Sequence, residues 1–364
     1  MKRRTFLESA AASTVVVLAG LPEVDGAPMT EAASPGWRTF EVTSRLEILG
    51  ATGVTRAWVP LPLMADTSYQ KRLGDTWEGN ATGPRVWRDE RYDAGLVYAE
   101  WPSTVKAPAL QVVSRFSTLD RAVDVTGPSP RAGTEAASSL AAFLEPTNLV
   151  PTDGVVLQTA REITQGQATD LDKARAIYEW IVQNTFRDPK VRGCGTGDIK
   201  AMLETRYLGG KCADLNALFV GLARAAGIPA REVFGLRVAE SKEFKSLGRA
   251  GDVTKAQHCR AEFHDRSLGW VPVDPADVRK VVLEEPPAGR TLEDPVVQKA
   301  RRKLFGAWAM NYVAFNYGHD LSLPGSAGPS LPFLMYPQCE TAGGRKDSLD
   351  PVTFKYEITA REMS

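Results

Sequence analysis

Cys212 is the residue whose surroundings in the sequence best suit covalent chemistry. It follows Gly209-Gly210-Lys211 and precedes an amphipathic stretch, so it is predicted to lie at the start of a helix. Unpaired backbone N–H groups and the positive end of the helix dipole favour a thiolate there. The two glycines are expected to let the chain turn sharply and to leave the backbone beside the sulfur open to a substrate. A buried, unreactive cysteine is the alternative interpretation.

A nucleophilic thiol needs a base, and the chain offers three histidines: His258, His264 and His319. The first lies in residues 257–277, where two alternating segments flank a short polar turn and predict a β-hairpin. A turn centred on Arg266 places His258 opposite Asp274 on the paired strand. Directly opposed residues have Cβ atoms about 4.5 to 5.5 Å apart, which allows a carboxylate to accept the imidazole N–H. Cys212, His258 and Asp274 would then be the nucleophile, base and orienting group of thiol acyl transfer.

The same register places His264 opposite Leu268, which favours His258 as the oriented base. Alternation along the strand turns Cys259 to the face opposite His258, so Cys259 is expected to be packed in the interior. His319 is interpreted as a surface or core histidine, with a place in a polar loop beside the active-site cleft as the alternative.

Three segments together resemble the bacterial transglutaminase-like proteins, which share a papain-like core: GGKCADLNALFVGLARAAGIPAR, QHCRAEF and GWVPVDPAD. The resemblance covers roughly residues 155–280 and includes the order and spacing of Cys, His and Asp. It implies that Cys212 is the nucleophile, His258 the general base and then acid, and Asp274 the orienting residue. Many relatives read His-Ala-Trp-Ala-Glu where this chain reads His-Cys-Arg-Ala-Glu, so the neighbouring cleft wall is expected to differ.

The reaction implied by the resemblance is acyl transfer through a thioester between Cys212 and an amide carbonyl of a protein or peptide. Water as the acceptor would make the enzyme a cysteine peptidase or amidase, and a lysine amine would make it a transglutaminase. The backbone N–H of Cys212 is expected to help hold the oxyanion. Trp180, Asn184 and Tyr207 are candidates for a second donor, with structural roles as the alternative. The alternative function is a non-catalytic envelope protein that uses the fold to bind a peptide or polymer.

Helical periodicity supports the placement of Cys212. Apolar residues recur after it at helical spacing: Leu215, Leu218, Phe219 and Leu222. Gly227 suits the left-handed residue just past the helix, and Pro229 cannot continue it. Further helices are predicted at about residues 155–165, 171–186 and 296–309, with a loop at 284–295 and later strands in VAFNY and FKYEITA.

The predicted fold class is α+β, with a papain/transglutaminase-like core preceded by a small β-sandwich domain. The expected segments are a signal peptide at 1–33, the β-sandwich at 37–125, a linker at 126–150, the catalytic core at 151–285, and a C-terminal extension packing on the core at 286–364. The sandwich is predicted from short alternating segments separated by Pro and Gly, beginning with Phe40, Val42, Leu46 and Ile48.

Composition agrees with an ordinary enzyme. The chain has 364 residues, 43% of them hydrophobic, which is enough for two or three cores. Its 44 basic and 44 acidic side chains balance, so nucleic acid is not expected as the main partner. No Cys-x-x-Cys pair occurs, so a zinc site is not expected. No other metal or cofactor is expected either. In an oxidising compartment Cys194, Cys259 and Cys339 could form at most one disulfide while Cys212 stays reduced.

The N-terminus resembles a twin-arginine signal peptide, because Lys2-Arg3-Arg4-Thr5-Phe6-Leu7 precedes an apolar run from Ala10 to Leu21. That run is shorter than the roughly 20 residues needed to cross a bilayer, so no stable membrane insertion is expected after signal removal. Cleavage is expected between Gly26 and Ala33, and the mature protein is expected to be periplasmic or otherwise exported.

Replacement of both Arg3 and Arg4 by Lys is predicted to leave the precursor in the cytoplasm, because twin-arginine export depends on the arginine pair. Cell fractionation followed by immunoblotting measures the distribution, and Lys2→Arg is the matched control. An unchanged periplasmic yield of the double variant would contradict the signal assignment.

Overall fold

The structure is a computed structural model that describes residues 36–127 and 135–363. The predicted signal peptide lies outside the described residues. Seven strands occupy the first described range: β1 (Arg38–Glu47), β2 (Thr55–Pro60), β3 (Gln70–Gly79), β4 (Thr82–Asp89), β5 (Ala94–Trp101), β6 (Ala109–Thr118) and β7 (Arg121–Ala122). The predicted inward face of β1 is confirmed, since Phe40, Val42 and Leu46 are buried.

The helices of the second range are α1 (Ala137–Ala141), α2 (Gly154–Thr164), α3 (Asp170–Asn184), α4 (Ile199–Thr205), α5 (Cys212–Ala225), α6 (Pro275–Glu284) and α7 (Pro295–Lys303). The predicted helices at 155–165 and 171–186 correspond to α2 and α3. Two helices, α6 and α7, begin with Pro after an Asp whose side chain accepts a backbone N–H. No helix in the described ranges is both long and apolar enough to span a bilayer.

Thirteen further strands complete the chain: β8 (Phe186–Arg187), β9 (Gly209–Gly210), β10 (Ala230–Arg237), β11 (Gly251–Asp252), β12 (Gln257–Asp265), β13 (Gly269–Val273), β14 (Ala307–Trp308), β15 (Tyr312–Asn316), β16 (His319–Leu321), β17 (Leu331–Phe333), β18 (Gln338–Thr341), β19 (Gly344–Arg345) and β20 (Lys355–Met363). The last predicted helix was expected to reach residue 309. It ends at Lys303 because Gly306 takes a φ of 117° and the chain continues into β14.

Two five-stranded sheets, in the orders β11-β20-β1-β6-β3 and β19-β18-β2-β5-β4, share the apolar core predicted for a sandwich. Both contain strands from beyond residue 250 as well as strands from the first described range. In particular, β20 pairs antiparallel with β1 from Thr39↔Met363 to Glu47↔Lys355. The sandwich is therefore assembled from both ends of the described chain.

A separate antiparallel sheet, in the order β13-β12-β10-β15, forms the support for α5. The helix is buried on nearly all sides, and the predicted apolar stripe of Leu215, Leu218, Phe219 and Leu222 is fully inaccessible. Helices α2, α3 and α6 pack around it. The predicted α+β class is confirmed, and the end of α5 is as expected because Gly227 has a φ of 82°.

The predicted register of the hairpin is wrong by two residues. His264 pairs with Trp270 rather than with Leu268. The reason is the position of the turn, which comprises residues 266–268: the Asp265 carboxylate accepts the N–H groups of Ser267 and Leu268, and Gly269 takes a φ of 72°. The turn is thus centred one residue later, which displaces the facing strand by two positions.

All four cysteines are free thiols and are buried. The predicted interior position of Cys259 is confirmed, since its side chain is inaccessible and its sulfur lies 3.8 Å from that of Met335. Cys339 lies in the sandwich core, where burial raises the pKa of its thiol to about 12.

Ile358→Ala is predicted to lower the free energy of unfolding by about 2 to 5 kcal/mol, because the substitution opens a cavity where a buried β20 residue joins the main core. Urea denaturation measures the change. The matched control is Glu357→Ala, since Glu357 is the exposed neighbour on the same strand. Equal losses for both variants would show that β20 contributes no packing at this position.

Candidate active site

Cys212 is the first residue of α5, as predicted, and is only 4% exposed. A buried carboxylate holds the start of this helix in place. Asp214 accepts the N–H of Lys211 with one oxygen, at 2.9 Å, and the N–H groups of Thr196 and Gly197 with the other, at 2.9 and 3.0 Å. The Asp214 side chain therefore fixes both the residue before the thiol and the loop beside it.

The predicted role of the two glycines before Cys212 is wrong. Gly209 and Gly210 form the short strand β9, which pairs in parallel with β8, and both are buried. A Cβ on Gly209 would lie 2.3 Å from the Phe186 ring, and one on Gly210 would lie 2.5 Å from the Asp214 Cβ. Glycine is needed here for close packing beneath the helix start rather than for a turn open to a substrate.

His258, on β12, has its Nε2 atom 2.8 Å from Oδ2 of Asp274. The contact that was predicted across the hairpin is present, but its geometry differs from the prediction. Asp274 lies beyond the end of β13 and is the N-cap of α6. The carboxylate reaches the imidazole from the helix start rather than from the facing strand.

The second oxygen of Asp274 is also fixed. Its Oδ1 accepts the backbone N–H of Asp277 at 3.0 Å and the side-chain amide of Asn216 at 3.1 Å. The Asn216 amide also donates to the carbonyl of Cys259. Since Asn216 is on α5, one side chain links the helix that carries the thiol to the carboxylate that contacts the imidazole.

Sequence reasoning missed Arg237 and Asp277, which lie next to the same imidazole. Asp277 is 3.4 Å from Nε2 of His258 and binds the Arg237 guanidinium through both oxygens, at 2.6 and 2.8 Å. All three side chains are buried. The only sequence signal was the spacing of Asp277 three residues after Asp274, which indicates a helix N-cap and first turn rather than a site.

The charges of this cluster determine the protonation of the imidazole. Burial by itself disfavours the imidazolium, and Arg237 opposes it too, but the carboxylates of Asp277 and Asp274 outweigh both and raise the pKa of His258 to about 9. The imidazole is therefore protonated and charged at neutral pH.

Two further thiols lie against Cys212. The thiol groups of Cys194 and Cys259, together with His258, hold the pKa of the Cys212 thiol well below its usual value in spite of burial. The Cys194 thiol itself donates to the carbonyl of Gln257 at 3.3 Å. Cys194 is fixed here because its carbonyl accepts the N–H of Ala213 at 2.9 Å. These neighbours favour the thiolate form of Cys212, and the nearby carboxylates favour the charged form of His258.

Cys212 and His258 both line a cleft of about 620 Å³, a volume within the range of small-molecule and peptide sites. One wall comes from residues 245–257, before and at the start of β12. Other lining residues come from the C-terminal part of the chain: Tyr336 precedes β18, Phe354 precedes β20, and Tyr356 is on β20. The cleft is therefore built from the core sheet, α5 and the C-terminal residues.

The other candidates from the sequence lie elsewhere. His264 is next to Glu135 and the Trp270 ring, and buried His319 is next to Glu232. Burial and Arg224 lower the pKa of His319 to about 3, so it is neutral at pH 7.

None of the three proposed oxyanion donors lines the cleft. Asn184 donates its amide to the carbonyl of Trp180, and the Tyr207 hydroxyl donates to Asp188 at 2.8 Å.

Donor atoms of His258, Asp274 and Asp277 lie within 4.8 Å of one another, a spacing that a metal ion could bridge. The Arg237 guanidinium already binds both oxygens of Asp277. A fixed positive charge at that position opposes a second cation, so these residues fit an imidazolium better than a metal.

Part of this chain is similar to a known protein family. Residues 157–275, which include all three of Cys212, His258 and Asp274, match the sequence profile of the transglutaminase-like superfamily. The expected transglutaminase-like core is thereby confirmed. An uncharacterized protein of Haemophilus influenzae is 35% identical over 342 residues, covering 89% of this chain and 91% of that protein.

Two solved structures show weaker similarity. A candidate cysteine protease from Cytophaga hutchinsonii aligns with a TM-score of 0.49 and 15% identity, over 89% of this chain and 98% of that one. The periplasmic domain of TgpA from Pseudomonas aeruginosa aligns with a TM-score of 0.34 and 16% identity, over 64% of this chain and 90% of that one.

We predict that alkylation of Cys212 by iodoacetamide has its pH midpoint well below that of the unfolded thiol, which is about 8.5. Acyl transfer should in addition fall above about pH 9, where His258 loses the proton needed by the leaving group. Alkylation needs only the thiolate and should stay level there. Mass-mapped alkylation of the native and unfolded chains across pH gives the midpoints. A native midpoint at or above the unfolded value would contradict the thiolate assignment.

Proposed function

We propose that this chain, which belongs to the transglutaminase-like superfamily through residues 157–275, is a cysteine hydrolase or acyltransferase acting on amide bonds of a protein or peptide. The observation that carries the proposal is the buried imidazole beside the thiol at the start of α5, with its Nε2 on Asp274 at 2.8 Å. Cys212 and His258 line one cleft, and the buried Asp274 carboxylate contacts the imidazole.

In the first step the Cys212 thiolate attacks the amide carbonyl, so that a C–S bond forms and the carbonyl oxygen becomes an oxyanion. Because Nε2 of His258 is engaged with Asp274, Nδ1 is the ring nitrogen left to deliver a proton to the leaving amine. Loss of the amine breaks the C–N bond and leaves a thioester on Cys212. His258, now neutral, then takes a proton from the acceptor, and collapse of the second oxyanion releases the thiolate.

The oxyanion needs two donors. A backbone N–H in the first turn of a helix has no partner within that helix, so the N–H of Cys212 is available as one of them. Gln257 fits the second role: it lines the cleft, its side chain is 9% exposed, and its amide nitrogen makes no hydrogen bond within the described ranges. Trp180, Asn184 and Tyr207 are outside the cleft and are not proposed for this role.

The acceptor decides between peptidase or amidase and transglutaminase. Hydrolysis requires only water, and the cleft is open to solvent through exposed wall residues such as Lys245 and Lys255. We therefore propose hydrolysis as the reaction in the absence of a competing amine. The N-terminal arginine pair supports action outside the cytoplasm after twin-arginine export.

We predict an order of damage among three variants. His258→Ala should abolish measurable acylation. Asp274→Asn should reduce acylation by roughly 10- to 1,000-fold, because it weakens the contact that orients the imidazole while a thiol remains partly ionised without it. His264→Ala should change acylation by less than about twofold, since His264 lies outside the cleft. Thioester formation with an activated ester is measured by intact mass after folding is checked by circular dichroism.

Gln257→Glu extends the series, because it keeps the shape of the side chain but loses the amide donor. It should slow acylation by about 100-fold or more while alkylation of Cys212 by iodoacetamide, which forms no oxyanion, is retained. If His264→Ala were the most damaging variant, the base assignment would be incorrect. Equal losses of acylation and alkylation in Gln257→Glu would show that Gln257 is not an oxyanion donor.

A further inference from the structure

The charge of the cleft differs sharply from that of the whole chain. The chain balances 44 basic against 44 acidic side chains, yet eight cationic side chains line the cleft together with a single carboxylate, Glu284. A cleft with one sign of charge concentrates the field and attracts ligands of the opposite sign. The excess of positive charge is thus a local property of the site.

Half of these cations are already paired. Arg237 binds Asp277, Arg192 lies 2.5 Å from Asp347, and Arg187 and Lys280 share Glu284. Among the described residues, no carboxylate forms an ion pair with the remaining four: Lys211, Lys245, Arg249 and Lys255. Lys211 lies near Asp188, and both Arg249 and Lys255 lie near Asp252, and these cations help to lower the pKa values of the two carboxyl groups. Without a direct ion pair, the four cations remain open to contact with a ligand.

The unpaired cations are held close to the nucleophile by ordered backbone. Lys211 directly precedes Cys212. The other three lie in residues 245–255, which are anchored by the buried carboxylate of Glu285: it accepts the N–H groups of Lys245 and Ser246, both at 2.9 Å. Further along, the N–H of Arg249 donates to the carbonyl of Ala239, and β11 pairs with β20. The backbone that carries these charges is therefore ordered before a substrate arrives, which limits the entropy lost on binding.

Stabilising the thiolate is not a sufficient reason for these charges. The pKa of the Cys212 thiol is already lowered by Cys194, Cys259 and His258. Lys245, Arg249 and Lys255 are exposed, so solvent screens their effect on a sulfur at the base of the cleft. A charged group of the substrate that enters the cleft would lie nearer to them.

We propose that this cationic wall binds carboxylates of the substrate, so that the site acts on acidic peptides with Asp or Glu close to the bond attacked by Cys212. This rests on the acyl-transfer function proposed above and specifies its substrate class. Carboxylates match the lysine and arginine donors in charge and hydrogen bonding. An exposed pair of this kind contributes about a two- to five-fold preference, so three together are expected to give about tenfold or more at low salt.

Two reagents that differ mainly in charge test the wall without a known substrate. Iodoacetate is anionic and iodoacetamide is neutral, and both alkylate Cys212. At about 20 mM salt the ratio of the iodoacetate rate to the iodoacetamide rate should be about tenfold higher for native Cys212 than for the unfolded chain. It should fall several-fold at about 0.5 M salt, because the Debye length shortens. Peptide mapping by mass spectrometry assigns the label to Cys212.

The variant for this test combines Lys245→Gln, Arg249→Gln and Lys255→Gln. Its ratio of iodoacetate rate to iodoacetamide rate should fall to within about twofold of the ratio for the unfolded chain. The matched control removes the same charge from exposed residues outside the cleft: Arg45→Gln, Lys106→Gln and Lys200→Gln. The control should keep the native ratio. A native ratio equal to that of the unfolded chain, or an equal loss in both triple variants, would overturn the proposal.

Internally quenched peptides provide the second readout. Two peptides that differ only by Glu or Gln on either side of the scissile amide are compared, and kcat/KM should favour the Glu peptide by about tenfold. The cleft variant should lose this preference, and equal cleavage of both peptides by the unmodified enzyme would overturn the proposal.

These outcomes are distinguishable from failure of the proposed function. If Cys212 reacted with both reagents no faster than in the unfolded chain, the nucleophile assignment itself would fail. Rapid reaction with both reagents but no charge preference would leave the nucleophile in place and reject only the acidic substrate.

Discussion

The contact between His258 and Asp274 is the interaction on which the arrangement of the site depends. Burial of an imidazolium and a carboxylate is costly unless each charge is paired and each oxygen has a donor. Here Oδ2 faces the imidazole, and Oδ1 accepts from Asn216 and from the N–H of Asp277. The three elements that supply these groups, α5, α6 and β12, must therefore meet at one point. Helix α5 packs against both α6 and β12 in the main core, and this packing keeps the groups in contact.

A second buried carboxylate, that of Asp214, fixes the backbone next to the thiol in the same way. Asp214 joins Lys211 to the loop that carries Thr196 and Gly197, and close packing of Gly210 against its side chain leaves no room for another residue type. In the proposed mechanism, one carboxylate thus positions the nucleophile and another positions its base. Both act through backbone N–H groups near a helix start, where unpaired donors are most numerous.

The C-terminal residues connect the site to the sandwich. Strand β15 completes the core sheet, while β20 pairs with β1 and contributes Tyr356 to the cleft wall. The cationic residues 245–255 lie between these parts and are held by Glu285 and by β11. The proposed chemistry thus belongs to the transglutaminase-like core, whereas the shape and charge of the cleft depend on residues from beyond it as well.

The sequence alone determined those features that arise from local patterns. The apolar stripe after Cys212 predicted α5 and its burial, because a helical period and a helix end are encoded within a few residues. The resemblance of three short segments identified Cys212, His258 and Asp274, and the structure brings these three side chains together.

Only the tertiary structure decided which groups meet across distant segments. A turn that lies one residue later than expected shifted the hairpin register, so Asp274 reaches His258 from a helix cap rather than a facing strand. Asp277 neutralises Arg237, whereas Lys245 has no such partner among the described residues. Both outcomes depend on elements that are separate in the chain. Charge in a cleft is set by pairing in three dimensions, because Coulomb interactions depend on distance and burial rather than on sequence order.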